Sequence, residues 1–384
     1  MSIIPTSTTS ALSSSTMTVA TVAATQPAKL RIAVFGVGRM GLRHARNVAY
    51  KTPRAELVAV VDPQKAALNA AKAELPPTTL LVTDPDVVFN SPDVDAVLIA
   101  SETSTHADLA VRAIAAGKHV LLEKPISIDV EKSRPVVEAA AANPNIKVMI
   151  GFSRRFDESY NEAKERIDKG LLGKAYMIKS ATNDMYDSSG FFVAYSKASG
   201  GIYIDCGIHD IDIARWLLDT ANPANLANPK KEVTRVFASG LNVRHPELAN
   251  DGDCDNALGI IEFANGSSVS IHLSRTAMHG HDCFTEVFGT EAKLIINNNP
   301  QLNRLEIRDE HGVRAESTPT YYERFREAFV TEVNTFASVV LDDKPVPTTA
   351  VDALQAAQIA VALTHSFRQG KPVLFGEDGE PILD

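Results

Sequence analysis

Cysteine is scarce in this 384-residue chain, which contains only Cys206, Cys254 and Cys283. The three residues form no CxxC pair and no even-numbered framework, so the sequence does not predict a disulfide scaffold. Reduced thiols are typical of an intracellular compartment. We therefore expect a cytoplasmic protein.

Long apolar runs and excess positive charge are also missing. No run approaches the ~20 apolar residues that span a bilayer, so we expect no membrane partner. The net charge is −9, and no basic stripe is present, which argues against a nucleic-acid partner. The 45% hydrophobic and 22% charged contents are typical of a globular protein, and the length favours two domains.

Basic residues are absent from residues 1–28, which are rich in Ser, Thr and Ala. A secretory signal needs a charged n-region, and a mitochondrial presequence needs arginines. Neither pattern is present, so we expect residues 1–28 to form a disordered tail.

The most informative segment is Gly36–Gly41, which follows an apolar strand and opens a helix. In a GxGxxG motif the first glycine makes a tight turn, the second lets the backbone approach a pyrophosphate, and the third lets the helix lie close to the strand. Asp62 ends the next strand, where its carboxylate can accept hydrogen bonds from an adenosine ribose. Since a carboxylate repels a 2′-phosphate, NAD is predicted and NADP is less favoured. The predicted cofactor contacts here are Gly36, Gly38, Arg39, Met40, Gly41 and Asp62.

Alternating strands and helices continue to residue 150 and predict a doubly wound parallel sheet, a Rossmann domain over residues 29–150. Ligands bind outside the carboxyl ends of such strands. The polar residues expected at this edge as cofactor contacts are Ser101, Thr103, His106 and Glu123. Glu123 either contacts the nicotinamide ribose or orders its neighbour Lys124, and the sequence leaves both open.

From residue 151 strands follow one another with short turns, such as Asn265-Gly266, a strong hairpin signal. This pattern predicts a second domain over residues 151–384, an α+β domain with a large, mainly antiparallel sheet. One uncovered face of such a sheet would need burial, and we expect a homodimer or homotetramer.

Asp205 and His209 lie four residues apart in a segment with a helical apolar stripe, which places both on one face. A carboxylate beside an imidazole stabilises the imidazolium and orients the ring, as a general base at a reacting hydroxyl requires. We expect this carboxylate to outweigh the helix dipole at His209. Taken alone, however, such a pair is more often structural.

Three motifs in order resemble the Gfo/Idh/MocA oxidoreductases, a family named for glucose–fructose oxidoreductase and inositol dehydrogenase. They are Gly36–Gly41, Glu123-Lys124-Pro125, and Gly200-Gly201 followed by Asp205-x-x-x-His209. The segments Gly151–Asp157 and Phe325-Arg326 look most like the myo-inositol 2-dehydrogenase branch.

This resemblance implies that NAD oxidises a secondary hydroxyl of a cyclic polyol or sugar to a ketone by hydride transfer. It implies a catalytic set in which His209 takes the hydroxyl proton, Lys124 polarises the same oxygen, and Asp205 tunes both. It also implies substrate contacts at Arg154, Asp184 and His281. The chain departs from the branch where tyrosines are replaced by His279 and His281, which leaves the substrate open.

Other interpretations remain at this point. A regulator that senses a nicotinamide cofactor could use the same fold, although it would not need Lys124, Asp205 and His209 together. A sugar oxidoreductase with tightly bound NADP is a further alternative. His279, His281 and Cys283 alternate as they would on one face of a strand, but no fourth ligand is evident, so no metal is predicted.

Overall fold

A computed structural model describes residue 1 and residues 29–383, so the predicted tail at residues 1–28 lies almost wholly outside the described residues. Two separate sheets organise the chain. The first is parallel throughout, in the order β3-β2-β1-β4-β5-β6. Its strands are β1 Leu30–Phe35, β2 Ala55–Val61, β3 Leu80–Val82, β4 Ala96–Ile99, β5 His119–Glu123 and β6 Val148–Gly151.

Helices connect these strands, as the alternating pattern predicted. They are α1 Arg39–Lys51, α2 Lys65–Ala71, α3 Asp86–Phe89, α4 Thr103–Ala115 and α5 Val130–Ala142. The central strands are apolar in nearly every position because both faces of the sheet are covered, and Ile32, Ala33 and Val34 are fully buried. The strand order reverses between β1 and β4, which opens a crevice at the carboxyl ends. The predicted Rossmann fold is confirmed.

The second sheet has seven strands in the order β12-β11-β7-β10-β9-β8-β15. Its pairings are antiparallel except for β7 with β10, so the predicted mainly antiparallel sheet is confirmed. Its strands are β7 Ala175–Met185, β8 Val233–Leu241, β9 Asn256–Phe263, β10 Ser268–Ala277, β11 Asp282–Gly289, β12 Lys293–Ile296 and β15 Val373–Leu374. A separate hairpin pairs β13 Ile307–Asp309 with β14 Gly312–Arg314.

The remaining helices cover one face of this sheet or join it to the first. They are α6 Glu158–Asp168, α7 Phe191–Ser199, α8 Ile202–Asp205, α9 Gly207–Leu217, α10 Tyr321–Leu341 and α11 Ala350–Gln369. Helices α9 and α11 pack on the second sheet, whereas α10 packs against α1, β1 and β5. The domain boundary at residues 150 and 151 stays a prediction; β6 ends at Gly151.

Helices α10 and α11 are the longest, at 21 and 20 residues. Helix α10 carries its buried apolar side chains on one face and exposed polar ones on the other, whereas the middle of α11 is buried on all sides over residues 356–360. Within the described ranges, no helix combines the length and the apolar character that crossing a bilayer requires.

Candidate active site

The glycine-rich turn joins β1 to α1 with the three roles that the motif predicts. Gly36 has a φ of +87°, and a Cβ on it would lie 2.7 Å from the carbonyl oxygen of Ala100. A Cβ on Gly41 would overlap the carbonyl oxygen of Gly36. At Gly38, by contrast, a Cβ would meet no atom within 4 Å. The turn and the packing therefore exclude side chains at Gly36 and Gly41. Gly38 faces open space that a pyrophosphate can enter.

The N-terminus of α1 is suited to an anion. Gly38 is its N-cap, no described side chain caps it, and its first turn holds no acidic residue. Asp62 accepts hydrogen bonds from the backbone N–H groups of Val37 (3.0 Å) and Gln64 (2.9 Å). The carboxylate is thus held beside the glycine turn with lone pairs left for ribose hydroxyls. These residues fit an NAD dinucleotide.

Arg39 and Met40 open helix α1 at the mouth of the crevice. The guanidinium carbon of Arg39 lies 5.7 Å from the ring centre of Phe191 and 5.8 Å from that of Tyr321. The hydroxyl of Tyr321 donates to the sulfur of Met40 at 3.2 Å. Both residues thereby connect the cofactor turn to elements of the second domain.

His106 does not line the open crevice, although it was predicted to contact the cofactor. It is 2% exposed, and its Nδ1 and Nε2 face the backbone oxygens of Pro125 (2.9 Å) and Ser101 (3.1 Å). Burial lowers the pKa of His106. The ring therefore joins the two loops that hold Ser101 and Pro125, and its contact with the cofactor stays a prediction. Thr103 and Ser101 lie at the half-buried start of α4, where Ser101 bonds to the hydroxyl of Thr105.

Glu123 ends β5 with both carboxylate oxygens engaged. The Nε2 of His44 donates to Oε1 (2.6 Å), and the backbone N–H of Lys124 donates to Oε2 (3.2 Å). Burial raises the pKa of Glu123, but the bond and charge of His44, together with the charges of Lys124 and His106, lower it overall. This geometry favours the interpretation that Glu123 orders Lys124.

Lys124 and Asp205 lie together, although they belong to different domains. The ammonium of Lys124 donates to the backbone oxygen of Asp205 at 2.9 Å and lies 3.4 Å from its carboxylate. Burial lowers the pKa of Lys124, but the charge of Asp205 and other groups raises it overall, so the side chain carries its charge. Asp205 reaches this position because Gly200 and Gly201, with φ of +85° and +90°, turn the chain abruptly into α8.

Arg275 is a site residue that the sequence interpretation missed. Its guanidinium donates to the other carboxylate oxygen of Asp205 at 2.9 Å and lies 3.4 Å from the ring centre of Phe192. Arg275 is 2% exposed and continues the buried alternation of Val269, Ile271 and Leu273 along β10. An arginine in register with a buried apolar face was the signal that could have identified it.

The predicted pairing of Asp205 with His209 is wrong. The helix is interrupted at Cys206, and the Asp205 carboxylate turns to Lys124 and Arg275. No described residue bonds to the ring of His209, whose Nδ1 is buried. Burial, followed by the positive charges of Lys124 and Arg154, lowers the pKa of His209 well below its ordinary value of 6.5. The ring is therefore neutral at neutral pH, whereas the predicted pairing with Asp205 would have favoured the imidazolium.

Arg154 lies beneath His209 in a buried polar network. It donates to Asp210 (3.1 Å) and to the hydroxyl of Thr182 (2.6 Å), and Thr182 donates to the same carboxylate (2.7 Å). Burial disfavours its charge, but nearby negative groups including Asp210 raise the pKa of Arg154 overall. Arg154 thus supplies a fixed positive charge on one side of His209.

Asp184 and His281 form a second charged pair at the site, with Nδ1 of His281 3.1 Å from Oδ1 of Asp184. Burial lowers the pKa of His281, but the bond to Asp184, together with the neighbouring Cys283, raises it overall, to about 9. Its Nε2 is buried and has no partner in the described part of the chain. The predicted common strand face for His279, His281 and Cys283 is wrong, because β11 begins at Asp282 and His279 is exposed.

The NAD-binding Rossmann sheet, with a lysine at its carboxyl edge and a neutral histidine on α9 near that lysine, defines a nicotinamide-dependent oxidoreductase. Two family models match the chain. "Oxidoreductase family, NAD-binding Rossmann fold" covers residues 30–152, and "Oxidoreductase family, C-terminal alpha/beta domain" covers residues 164–375. The chain belongs to the Gfo/Idh/MocA oxidoreductase family.

Similar proteins share nearly the whole chain. A scyllo-inositol 2-dehydrogenase (NAD(+)) of Bacillus subtilis is 37% identical, over 90% of this chain and 96% of the relative. A myo-inositol 2-dehydrogenase of Thermotoga maritima is 31% identical, over 91% of this chain and 99% of the relative. The structure of scyllo-inositol dehydrogenase from Lactobacillus casei with bound NAD(H) and scyllo-inositol matches with a TM-score of 0.83 and 33% identity, over 90% of this chain and 99% of that one.

Proposed function

We propose that this protein is an NAD-dependent dehydrogenase that oxidises a secondary hydroxyl of an inositol-like cyclic polyol to a ketone. The observation that carries the proposal is the meeting of charged Lys124 with neutral His209 at the crevice of an NAD-binding sheet. The similarity to inositol dehydrogenases over nine-tenths of the chain supports the substrate class.

In the proposed reaction, the substrate hydroxyl lies between Lys124 and His209. His209 takes the hydroxyl proton on a ring nitrogen, since its neutral form is favoured by burial and by neighbouring positive charges. Lys124 donates to the same oxygen and stabilises the negative charge that develops there. NAD, when bound, accepts the hydride.

Asp205 and Arg275 act on the lysine in this scheme. Asp205 holds Lys124 through its backbone oxygen and carboxylate, and Arg275 holds the carboxylate from the sheet side. Because Asp205 is shared between Lys124 and Arg275, it orients Lys124 and the site keeps a net positive charge. Asp184 holds the ring of His281, and Asp210 holds the guanidinium of Arg154. The Nε2 of His281 is the proposed donor to a second substrate hydroxyl.

The test is turnover with a panel of polyols. The purified protein is expected to reduce NAD with one or more inositols, more slowly with aldoses, and weakly with NADP. Binding of NAD without turnover of any polyol would favour the regulator instead. Nicotinamide absorbance in the protein as purified would favour the oxidoreductase with tightly held NADP. The cytoplasmic location stays a prediction, which cell fractionation tests.

We further propose a homodimer or homotetramer built on the second sheet. The face of this sheet opposite α9 and α11 exposes apolar side chains on neighbouring strands, including Phe237, Leu258 and Ile260, of which Leu258 is 57% exposed. An exposed apolar patch of this kind favours burial against a second copy. Sedimentation should show an oligomer that Ile260→Glu dissociates, whereas Leu171→Glu, an exposed leucine on another surface, leaves it intact.

A further inference from the structure

A cluster of titratable groups lies in the interior behind the strand end that carries Lys124. It consists of His44 on α1, Glu123 on β5 and Glu332 on α10. One ligand atom from each lies within 4.8 Å of the others. The proposed reaction uses none of these side chains directly, yet Glu123 bonds to the backbone N–H of Lys124.

Glu332 is the least compensated member of this cluster. Its side chain is 0% exposed, and neither carboxylate oxygen has a hydrogen-bond partner among residues 29–383. An ionised carboxylate without partners in the interior is strongly disfavoured, and a second carboxylate nearby disfavours it further. Burial first, and then the charge of Glu123, raise the pKa of Glu332 well above its ordinary value of 4.5.

A metal ion is the alternative occupant, because a histidine and two carboxylates are common ligands. The Nε2 of His44 and the Oε1 of Glu123 lie 2.6 Å apart, in direct hydrogen bond. An ion that holds nitrogen and oxygen ligands at about 2.0–2.2 Å each requires a wider separation than this. The observed geometry therefore favours a proton.

We propose that Glu332 is a protonated positioning residue, which donates a hydrogen bond into the His44–Glu123 pair and thereby holds Lys124 in place. Glu123 can then remain an ionised acceptor for His44 and for the backbone of Lys124. The charged or titratable groups around the cluster are His44 from α1, Glu123 and Lys124 from β5 and its end, and His106 from α4. Helix α10 belongs to the second domain, whereas His44 and Glu123 belong to the first. The proposed hydrogen bond from Glu332 therefore also connects the two domains behind the site.

The experiment compares three variants of the full chain. Glu332→Gln keeps a neutral donor, Glu332→Ala removes it, and Glu327→Gln on the exposed face of α10 is the matched control. The infrared difference spectrum of wild type minus Glu332→Gln should show the carbonyl band of a protonated carboxyl at neutral pH. The control difference should lack this band. Absence of the band from the Glu332 difference would overturn the proposal, and this readout needs no turnover.

The kinetic arm rests on the proposed function. Glu332→Gln should retain kcat within about twofold. Glu332→Ala should lower kcat by roughly 10- to 100-fold, because Lys124 would no longer be held in place. The KM for NAD should change little in either variant. Equal loss in both variants would overturn the proposal, because a neutral donor would then not replace Glu332. Unchanged kcat in Glu332→Ala would overturn the positioning role. A protein that turns over no polyol but shows the infrared band would refute the proposed function alone.

Discussion

His209 and His281 are neighbours in one site and have opposite electrostatic surroundings. His209 is surrounded by Lys124, Arg154 and His281 itself, and its pKa falls well below 6.5 because of burial and these charges. His281 is equally enclosed but bonds to Asp184, and its pKa rises to about 9. In the proposed reaction this difference separates a proton acceptor from a charged donor, and Asp184, together with Cys283, accounts for the raised pKa of His281.

The largest effect is expected from His209→Ala, which should lower kcat/KM by ~10²–10⁴, the scale of a positioned general base. In the wild type, kcat/KM should stay level as pH falls through 6.5 and decline only at lower pH, since His209 remains neutral to that point. The pH profile of residual activity in the variant should lack this decline. The control is His279→Ala at an exposed neighbouring position. If the decline of kcat/KM at low pH, the acid limb of the profile, persists in His209→Ala, another group is the base.

Lys124→Met should lower kcat by a similar ~10²–10⁴ while NAD binding remains. It also removes one of the charges that lower the pKa of His209, so the acid limb of the residual rate should move to higher pH. Lys132→Met, on the exposed surface of α5, is the control. An acid limb at the wild-type position would show that Lys124 does not act on His209.

Asp184→Asn should convert the surroundings of His281 toward those of His209. The pKa of His281 should fall from about 9, because its hydrogen-bonded carboxylate is lost. Since the charged imidazolium is the proposed donor, wild-type KM for the polyol should rise as pH increases through about 9, and in the variant this rise should occur at lower pH. At neutral pH we expect KM to increase about tenfold or more, the value of a hydrogen bond to a charged group. An unchanged KM profile would remove His281 from substrate binding.

The smallest effect is expected at Asp62, at the cofactor end of the crevice and remote from both histidines. Asp62→Ser removes the repulsion of a 2′-phosphate and the acceptor for Val37, and should shift the NAD/NADP preference by about 1–2 kcal/mol. The acid limb from His209 should not move. Asp84→Ser is an exposed control. A preference that stays unchanged would show that Asp62 supports the turn and does not select the cofactor.

The sequence by itself determined the fold class and the cofactor turn. Gly36 and Gly41 are required by a positive φ and by close packing, which are local properties of a strand, a turn and a helix. Buried parallel strands likewise show themselves as continuous apolar runs, and hairpin turns as Asn-Gly. Short-range sterics therefore made these parts predictable from residue types and spacing.

Only the tertiary structure decided which charges meet at the site. Asp205 and His209 are four residues apart, yet Asp205 contacts Lys124, 81 residues away, and Arg275, 70 residues away. Sequence spacing describes one regular helix, whereas the partners of the Asp205 carboxylate are two cations from distant segments that only the fold brings to it. The protonation of His209, His281 and Glu332 depends on burial and on distances between separate elements, because Coulombic and solvation energies act through space and not along the chain.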